Sequence, residues 1–374
     1  FAVTLIGPDA VADDRRTTAL MNPALEMLDS LGVLAQLAEV SAPLKIMRIV
    51  DATGRLIRSP LVTFRASEID EERFGLNFPN RALVATLAAA AAANSAIEWR
   101  KSLAASWRID PEQAVALLAN GEEVSAPLAV AADGRNSPAR AAAGISTSSR
   151  AYPQAALVLN FGHSREHGFI STEFHTETGP FTQVPLPGNR SSLVWVVKPE
   201  TAKDFVAVDD AALSALIEQK MQSMLGRVAV EPGRQVYPLT VATPARFAQN
   251  RIALVGEAAH VFPPIGAQGL NLGIRDIADL VGIIGENRDD PGGARALASY
   301  DARRRPDILA RSSAVNLFNS SLLSSLLPAQ VARSAGLGLL GSLAPLRAFF
   351  MREGLRPGSG FAAMSGLFRR GGGL

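Results

Sequence analysis

The run Arg251-Ile-Ala-Leu-Val-Gly-Glu-Ala-Ala-His-Val-Phe-Pro-Pro-Ile-Gly-Ala-Gln-Gly-Leu-Asn-Leu-Gly-Ile-Arg-Asp276 constrains the fold of this chain more than any other segment. Ile252 to Val255 reads as a short apolar strand that ends in Gly256 and the carboxylate Glu257. A Pro/Gly-rich loop follows, Pro263 to Gly269, and then a helix in which Leu270, Ile274, Ile277, Val281 and Ile284 recur at helical spacing. That spacing predicts one buried face. Backbone N–H groups and the dipole at a helix start favour negative charge. Glycine and proline let a flat ring approach the main chain closely. Together these features make a place to hold a polar, electron-accepting ligand.

The run resembles the second flavin-binding motif of the FAD-dependent aromatic hydroxylases, which usually reads Gly-Asp-Ala-Ala-His, then Pro, then Gly-x-Gly-x-Asn. The branch most similar to it hydroxylates ubiquinone precursors. Glu257 stands where the family has Asp, and the resemblance implies that its longer side chain reaches a ribityl hydroxyl with some shift in geometry. The resemblance places Gly256, Glu257, Pro264 and Gly266 beside the cofactor, and with them the helix start Gln268, Gly269, Leu270 and Asn271. It gives the wall facing dioxygen to Pro263, Pro264 and Gly266, and stabilisation of the anionic reduced flavin to Gln268–Asn271. His260 has two readings, a catalytic group and a histidine packed beneath the flavin loop, and packing is the stronger.

Four further segments match the same family in the same order. Asp14-Arg-Arg-Thr-Thr-Ala-Leu20 resembles Asp-x-Arg-x-x-Ala-Leu, which puts Arg16 by the cofactor; a charged helix N-terminus is the plainer reading. Asn80-Arg81 opens a helix where the family sets an arginine over the pyrophosphate, and a guanidinium fork suits phosphate. Asp133-Gly134, at the end of the apolar strand Ala129–Asp133, resembles the family's Asp-Gly motif beside the pyrophosphate; an Asp-Gly turn explains it structurally. Gly179-Pro180-Phe181 and Pro185-Leu186 resemble a segment of the substrate sheet, implying an apolar pocket above the flavin, with ordinary sheet turns as the alternative. Phe1–Ile6 reads as the second strand of the dinucleotide unit, so its first strand, glycine loop and first helix are expected before residue 1. Gly7 then falls where the family often has an acid that grips the ribose.

Along the chain, Asp14–Gly32 reads as loop and helix with Leu20, Leu25, Leu28 and Leu31 in its stripe, and Leu44–Phe78 as strands. Asn80–Ala93 is an alanine-rich helix, and short strands fill Ala151–Val241. Strand–helix, sheet, strand–helix implies an α/β fold: a discontinuous Rossmann-like FAD-binding domain, an inserted, mostly antiparallel β-sheet substrate domain, and a helical C-terminus. The expected bounds are 1–40, 79–150 and 242–290 for the FAD domain, 41–78 and 151–241 for the substrate domain, and 291–374 for the helical region. Arg303-Arg304-Arg305 reads as a solvated helix face.

Composition narrows the chemistry. The chain has no cysteine, which excludes disulfides, iron–sulfur clusters and thiol catalysis. Four histidines at 163, 167, 175 and 260 lack metal-ligand spacing, so no metal is expected. A net charge of +2 carries no nucleic-acid footprint. Between Arg333 and Arg347 lies an uncharged stretch too short to span a bilayer; with the phenylalanines and arginines beyond it, it suits an interfacial helix, a subunit interface or a core cap equally.

The resemblance implies a monooxygenase in which NADPH or NADH reduces FAD and dioxygen supplies the hydroxyl of an aromatic ring. The expected substrate is a polyprenylated phenol on the route to ubiquinone. A hydroxylase of a small soluble aromatic and a non-catalytic assembly subunit with a degenerate flavin site are the alternatives. A halogenase is disfavoured by the absence of Trp-x-Trp-x-Ile-Pro. The expected location is cytoplasmic, peripheral to the inner membrane, within a biosynthetic complex or a homo-oligomer.

Overall fold

The computed structural model describes residues 1–9, 14–263, 268–323 and 327–363, which divide into two compact units. The first comprises residues 1–14, 81–152 and 239–316. The second comprises 15–80, 153–238 and 317–374. Residues 15–40 therefore belong with the inserted sheet, and 291–316 with the first unit.

Parallel pairs organise the first unit. Val3–Ile6 lies parallel to Ile97–Arg100, and Ala129–Ala131 lies parallel to Ile252–Leu254. An antiparallel meander, Ala104–Ile109, Ala114–Leu118 and Glu123–Ala126, adds a layer that the sequence reading passed over. Helices Asn80–Ala93, Pro138–Ala142 and Gln268–Glu286 belong to this unit, as does most of Ala294–Leu323. Ile252, Ala253 and Leu254 are fully buried, with Leu272, Leu280, Ile283 and Tyr300 in the same core.

That core corrects the expected helix face. Leu272, Gly273, Asp276, Leu280 and Ile283 are the buried positions of Gln268–Glu286. Leu270, Ile277 and Val281 are 44%, 41% and 57% exposed. Both sets have helical spacing, but they sit about one residue apart around the axis. The reading followed the apolar letters and skipped Asp276, whose burial depends on partners rather than hydropathy.

An eight-stranded sheet dominates the second unit. Its central strands are Thr147–His163, Arg190–Val197, Gly179–Leu186, Ile170–Thr176 and Ile46–Asp51, in that spatial order, with Val62–Arg65 at the edge. Neighbours are antiparallel except Ile170–Thr176 with Ile46–Asp51, where distant segments of the chain meet. Helices Pro199–Ala207 and Asp210–Lys220 cover one face: Leu157, Phe174, Phe181 and Trp195 pack there with Ala202, Leu213 and Ile217. The opposite residues of the same strands, Val158, Val194, Thr182, Glu173 and Ile49, are only half-buried. Strand side chains alternate between faces, so one face is sealed by helices, while the other is half-buried along this row and buried at Ala156, Val196, His175 and Ser192.

Thr17–Met21, Gly75–Pro79 and Ala42–Leu44 form a second small sheet. Leu20 therefore belongs to a strand, and the helix is shorter than the stripe implied, Asn22–Ser30. Pro23 near its N-terminus explains the start, since proline fits a first helical turn and a helix cannot extend back through it. Leu31 lies beyond the helix end and is 59% exposed.

Candidate active site

Two adjacent strand ends define the site in the first unit. Ala129–Ala131 runs into Asp133-Gly134, and its parallel neighbour Ile252–Leu254 runs into Gly256-Glu257. The Val255 N–H donates to the Ala131 carbonyl (3.0 Å), which holds the two ends side by side. Gly256 has φ +59° and Gly134 φ +83°, a left-handed backbone that favours glycine. A Cβ placed on Gly134, Gly256 or Gly269 would meet no protein atom within 4 Å. Bare backbone thus borders open space at the carboxyl ends of parallel strands, the usual crevice for a nucleotide ligand in such sheets. Gly273 serves the opposite purpose: its Cβ would sit 3.2 Å from Gly256 Cα, so glycine there lets the helix pack against the strand end.

A buried charge network fixes this corner. Asp276 is fully buried and accepts three hydrogen bonds, from Gly256 N–H (3.0 Å), His260 Nε2 (2.7 Å) and Arg304 Nε (2.8 Å). An ionised carboxylate only accepts, so His260 carries its proton on Nε2. His260 is 3% exposed, and its ring centroid lies 5.5 Å from that of Phe262. Arg304 also reaches Asp279 (2.8 Å) and Asp307 (3.1 Å), and Asp307 accepts from Arg311 Nε (2.9 Å) and Arg275 (3.2 Å). Burial pulls the Arg304 guanidinium down, but Asp276, Asp307 and Asp279 outweigh it and hold it above its ordinary value. Burial likewise pushes Asp307 up, and the hydrogen bond from Arg311 with the charges of Arg275, Arg311 and Arg304 brings it below the usual carboxylate range. Burial lowers Arg275, which has Asp307 in its favour and Arg311 and Arg304 against it. Arg304, 2% exposed, thus corrects the expectation of a solvated arginine run. Tyr300, fully buried, donates to the Leu254 carbonyl (2.7 Å); burial and Asp276 push its hydroxyl upward. Asp276, Arg304 and Tyr300 escaped the motif reading, although an aspartate between Leu272 and Leu280 at four-residue spacing marks a charge on a core face.

The remaining residues divide by role. Glu257 is 54% exposed in its side chain and pairs with Arg135 through two contacts, 3.2 and 3.3 Å. Asp133 accepts from the Ala139 N–H (3.1 Å) and so caps the helix Pro138–Ala142 with its carboxylate; its backbone is what the strand end offers. Arg140 donates to the Ala258 carbonyl (2.8 Å) and the Arg135 carbonyl (2.7 Å), tying the two strand-end loops together. Arg81 is exposed at the start of Asn80–Ala93. Gly7, at the end of Val3–Ile6, accepts from Trp99 Nε1 on its carbonyl (3.1 Å). Gln268 and Asn271 are half-buried in the first turn of their helix, with Gly269 and Leu270 exposed. Pro263 is buried, while Pro264 and Gly266 lie outside the described residues. Arg16 belongs to the second unit, exposed, with its guanidinium 6.0 Å from the Tyr237 ring centroid.

In the second unit, the segment Gly179–Leu186 forms a central strand, but Phe181 does not face outward. It is fully buried, edge-on to Phe174 (5.7 Å) and Trp195 (5.1 Å) on the helix-covered side. Its strand neighbour Thr182 is on the other, half-buried side, because adjacent residues of a strand point to opposite faces.

The strand-end cradle suits a flat, anionic dinucleotide, and the comparisons with known proteins agree. A family described as an FAD binding domain matches residues 9–311. A ubiquinone hydroxylase (UbiL) of Rhodospirillum rubrum is 33% identical over 92% of this chain and 80% of its own length. The 3-demethoxyubiquinol 3-hydroxylase of Escherichia coli is 32% identical over 74% of this chain and 71% of its own. Among solved structures, a p-nitrophenol 4-monooxygenase of Pseudomonas putida superposes with a TM-score of 0.74 at 17% identity, covering 95% of this chain and 90% of that one. The chain belongs to the FAD-binding-domain family and is an FAD-dependent aromatic-ring monooxygenase.

Proposed function

We propose that this monooxygenase hydroxylates a polyprenylated phenol in ubiquinone biosynthesis, with FAD held at the strand ends of the first unit. The observation that carries the reading is the pair of parallel strand ends, whose glycines border open space and whose register is fixed by buried Asp276. Gly134 and Gly256 would let the cofactor lie against main chain, with Arg81 supplying phosphate charge and Glu257 a hydroxyl acceptor. The helix start Gln268–Asn271 would face the reduced ring, and Pro263 would close the side toward dioxygen. Bound FAD supplies electron transfer from NADPH or NADH to dioxygen. The similarity to relatives named for ubiquinone hydroxylation supports the choice of substrate.

A membrane-borne substrate fits one surface of the second unit. Leu56 and Leu61 are 90% and 59% exposed beside exposed Arg58. Ser334 donates to the Arg58 carbonyl (3.2 Å), so the helix Leu327–Ser342, with Leu339 53% exposed, shares that surface. No single helix among the described residues is long and apolar enough to cross a membrane, and Gln330–Ser342 meets Ala344–Leu355 at a bend of 101°. We infer that these leucines rest on anionic lipid.

Incubation with FAD, NADPH, ¹⁸O₂ and a 2-polyprenylphenol tests the function. The expected product carries one ¹⁸O on the ring. Flavin reduction without ring hydroxylation would overturn the substrate class. Co-sedimentation with anionic vesicles tests the surface, and its loss in Leu56→Asp is the expected result.

A further inference from the structure

A cavity of about 490 Å³ lies wholly within the second unit. The end of the helix Asp210–Lys220 lines it with Gln219 and Lys220, the turn beyond with Gln222, and the loop after Ile46–Asp51 with Arg58. Buried Phe174 and Phe181 close its floor. Its donors are uncommitted, and its acids are engaged. Among the described residues, the side chains of Arg58, Gln219, Lys220 and Gln222 make no hydrogen bond or salt bridge. Asp51, the one carboxylate of the lining, already accepts from Thr53 N–H (3.0 Å), Thr53 Oγ1 (2.6 Å) and Ser59 N–H (2.7 Å). Glu177 accepts from the Gly54 N–H. Arg333 acts on Asp51, and Arg55 and Lys220 on Glu177, so four cations with Arg58 meet two engaged acids. Such a lining calls for an acceptor-rich anion, and a guanidinium with an ammonium suits phosphate oxygens. The volume is in the range of pockets that take an organic ligand rather than a bare ion. Leu56 stands in the same loop, between Gly54 and Arg58, and is 90% exposed. An apolar side chain held out beside a basic pocket can rest among acyl chains while the pocket meets headgroups.

We propose that this cavity binds the headgroup of an anionic phospholipid whose phosphodiester ends in a neutral polyol, as in phosphatidylglycerol. The inference rests on the lipid reading above and names the lipid. Arg58 and Lys220 take the phosphate, the amides of Gln219 and Gln222 take the glycerol hydroxyls, and Leu56 lies among the acyl chains. The choice of a neutral end follows from the acids. A headgroup that ends in an ammonium needs a carboxylate to receive it, and Asp51 is already occupied by three donors. Arg55 and Arg333 add charge that repels a further cation. General attraction to a charged membrane makes no such distinction, because it depends on net charge alone.

Vesicles of phosphatidylcholine mixed with phosphatidylglycerol, or with an equal fraction of phosphatidylserine, test the proposal, because the two have the same net charge and differ in the serine ammonium. The protein is expected to bind the glycerol lipid about tenfold more tightly, the difference that one hydrogen bond to a charged group supplies. Arg58→Gln and Lys220→Gln, both at exposed positions, are expected to weaken binding to both vesicles and to bring that ratio to one. Variants that weaken both but keep the ratio overturn the assignment of the pocket. A competition requires no variant to fold: excess glycerophosphoglycerol, the headgroup without acyl chains, should release wild type from phosphatidylglycerol vesicles down to the phosphatidylserine level. Equal binding to the two lipids, lost in Leu56→Asp, would overturn the pocket and leave the leucine contact standing. Headgroup binding in solution by a protein that ignores both vesicles would make this a site for a free phosphate ester and overturn the lipid. Binding to neither vesicle nor headgroup removes the lipid reading and this inference with it.

Discussion

The strand ends of the first unit and the half-buried sheet face of the second present different surfaces. The first offers backbone: Gly134, Gly256 and Gly269 border open space, and the side chains that matter, Asp276 and Arg304, are buried behind them. The second offers side chains: a row of valines, a threonine, a glutamate and an isoleucine on otherwise regular strands. A backbone surface depends on glycine where φ is positive and on a rigid support. A side-chain surface depends only on which parity of each strand faces out. Substitutions should therefore fail differently in the two units, through support in one and through chemistry in the other.

The largest effect on folding should come from the support. Asp276→Ala leaves Arg304 buried with part of its charge uncompensated and frees the Gly256 N–H. Breaking a buried pair from one side costs about 3–5 kcal/mol. A urea titration should show a loss of that size, and flavin uptake should weaken with it. Phe181→Ala in the second unit should cost a similar amount, about 3–5 kcal/mol for a buried phenylalanine. Flavin affinity at low urea should survive that change. If the two variants lose flavin equally, the division of labour between the units is wrong.

This contrast also explains what the amino-acid order revealed. The strand, glycine turn, loop and helix of 251–276 were legible because positive φ and close approach demand glycine at fixed spacing. The inserted sheet was legible as strands for a similar reason, since alternation and β-branched residues leave a pattern in Ser192–Val197. The face was not legible. Phe181 was expected in a pocket above the flavin, and only cross-strand register shows that it lies in the row of Phe174 and Trp195 on the helix-covered face. Asp276 and Arg304 were missed because a charge on a helix reads as solvated until its partners, 28 residues apart, are brought together. The segment 17–21 was read as helix because Leu20 fits the stripe of the following helix; pairing with Gly75–Pro79, remote in sequence, makes it a strand.

A smaller effect isolates the backbone surface itself. Gly256→Ala forces a Cβ onto a left-handed residue, at about 1–2 kcal/mol. Since that Cβ would meet no protein atom, the protein should still fold, and the methyl group should occupy ligand space. Flavin affinity is expected to fall by about tenfold or more, about 1.4 kcal/mol or more of binding free energy, in a protein that remains folded. Unchanged affinity in a folded Gly256→Ala protein would move the cofactor away from this turn.

Acid should probe the support more gently. Asp307 titrates below its ordinary value because Arg311, Arg275 and Arg304 outweigh burial. A carboxylate depressed in the folded state contributes stability above its unfolded pKa, and that contribution is lost as pH falls through the folded value. The window therefore lies below the ordinary carboxylate value of 3.8. Asp307→Asn should lower stability at neutral pH and flatten its decline below about pH 4. An acid limb unchanged in slope would mean that other carboxylates carry it.

The smallest effect belongs to the exposed pair, and it separates holding a loop from holding a ligand. Arg135 and Glu257 have side chains 45% and 54% exposed, and such pairs are worth about 0–1 kcal/mol. Arg135→Ala should leave the urea midpoint nearly unchanged, because Arg140 already ties the two strand-end loops through the Ala258 and Arg135 carbonyls, and the second of these is backbone that the substitution keeps. Glu257, released from its partner, is then free to accept from a flavin hydroxyl, so flavin affinity should hold or rise slightly. Glu257→Ala removes the acceptor itself, and affinity should fall with stability unmoved. If both variants weaken flavin equally, the pair acts as one clamp, and Arg135 belongs with the cofactor contacts rather than with the scaffold around them.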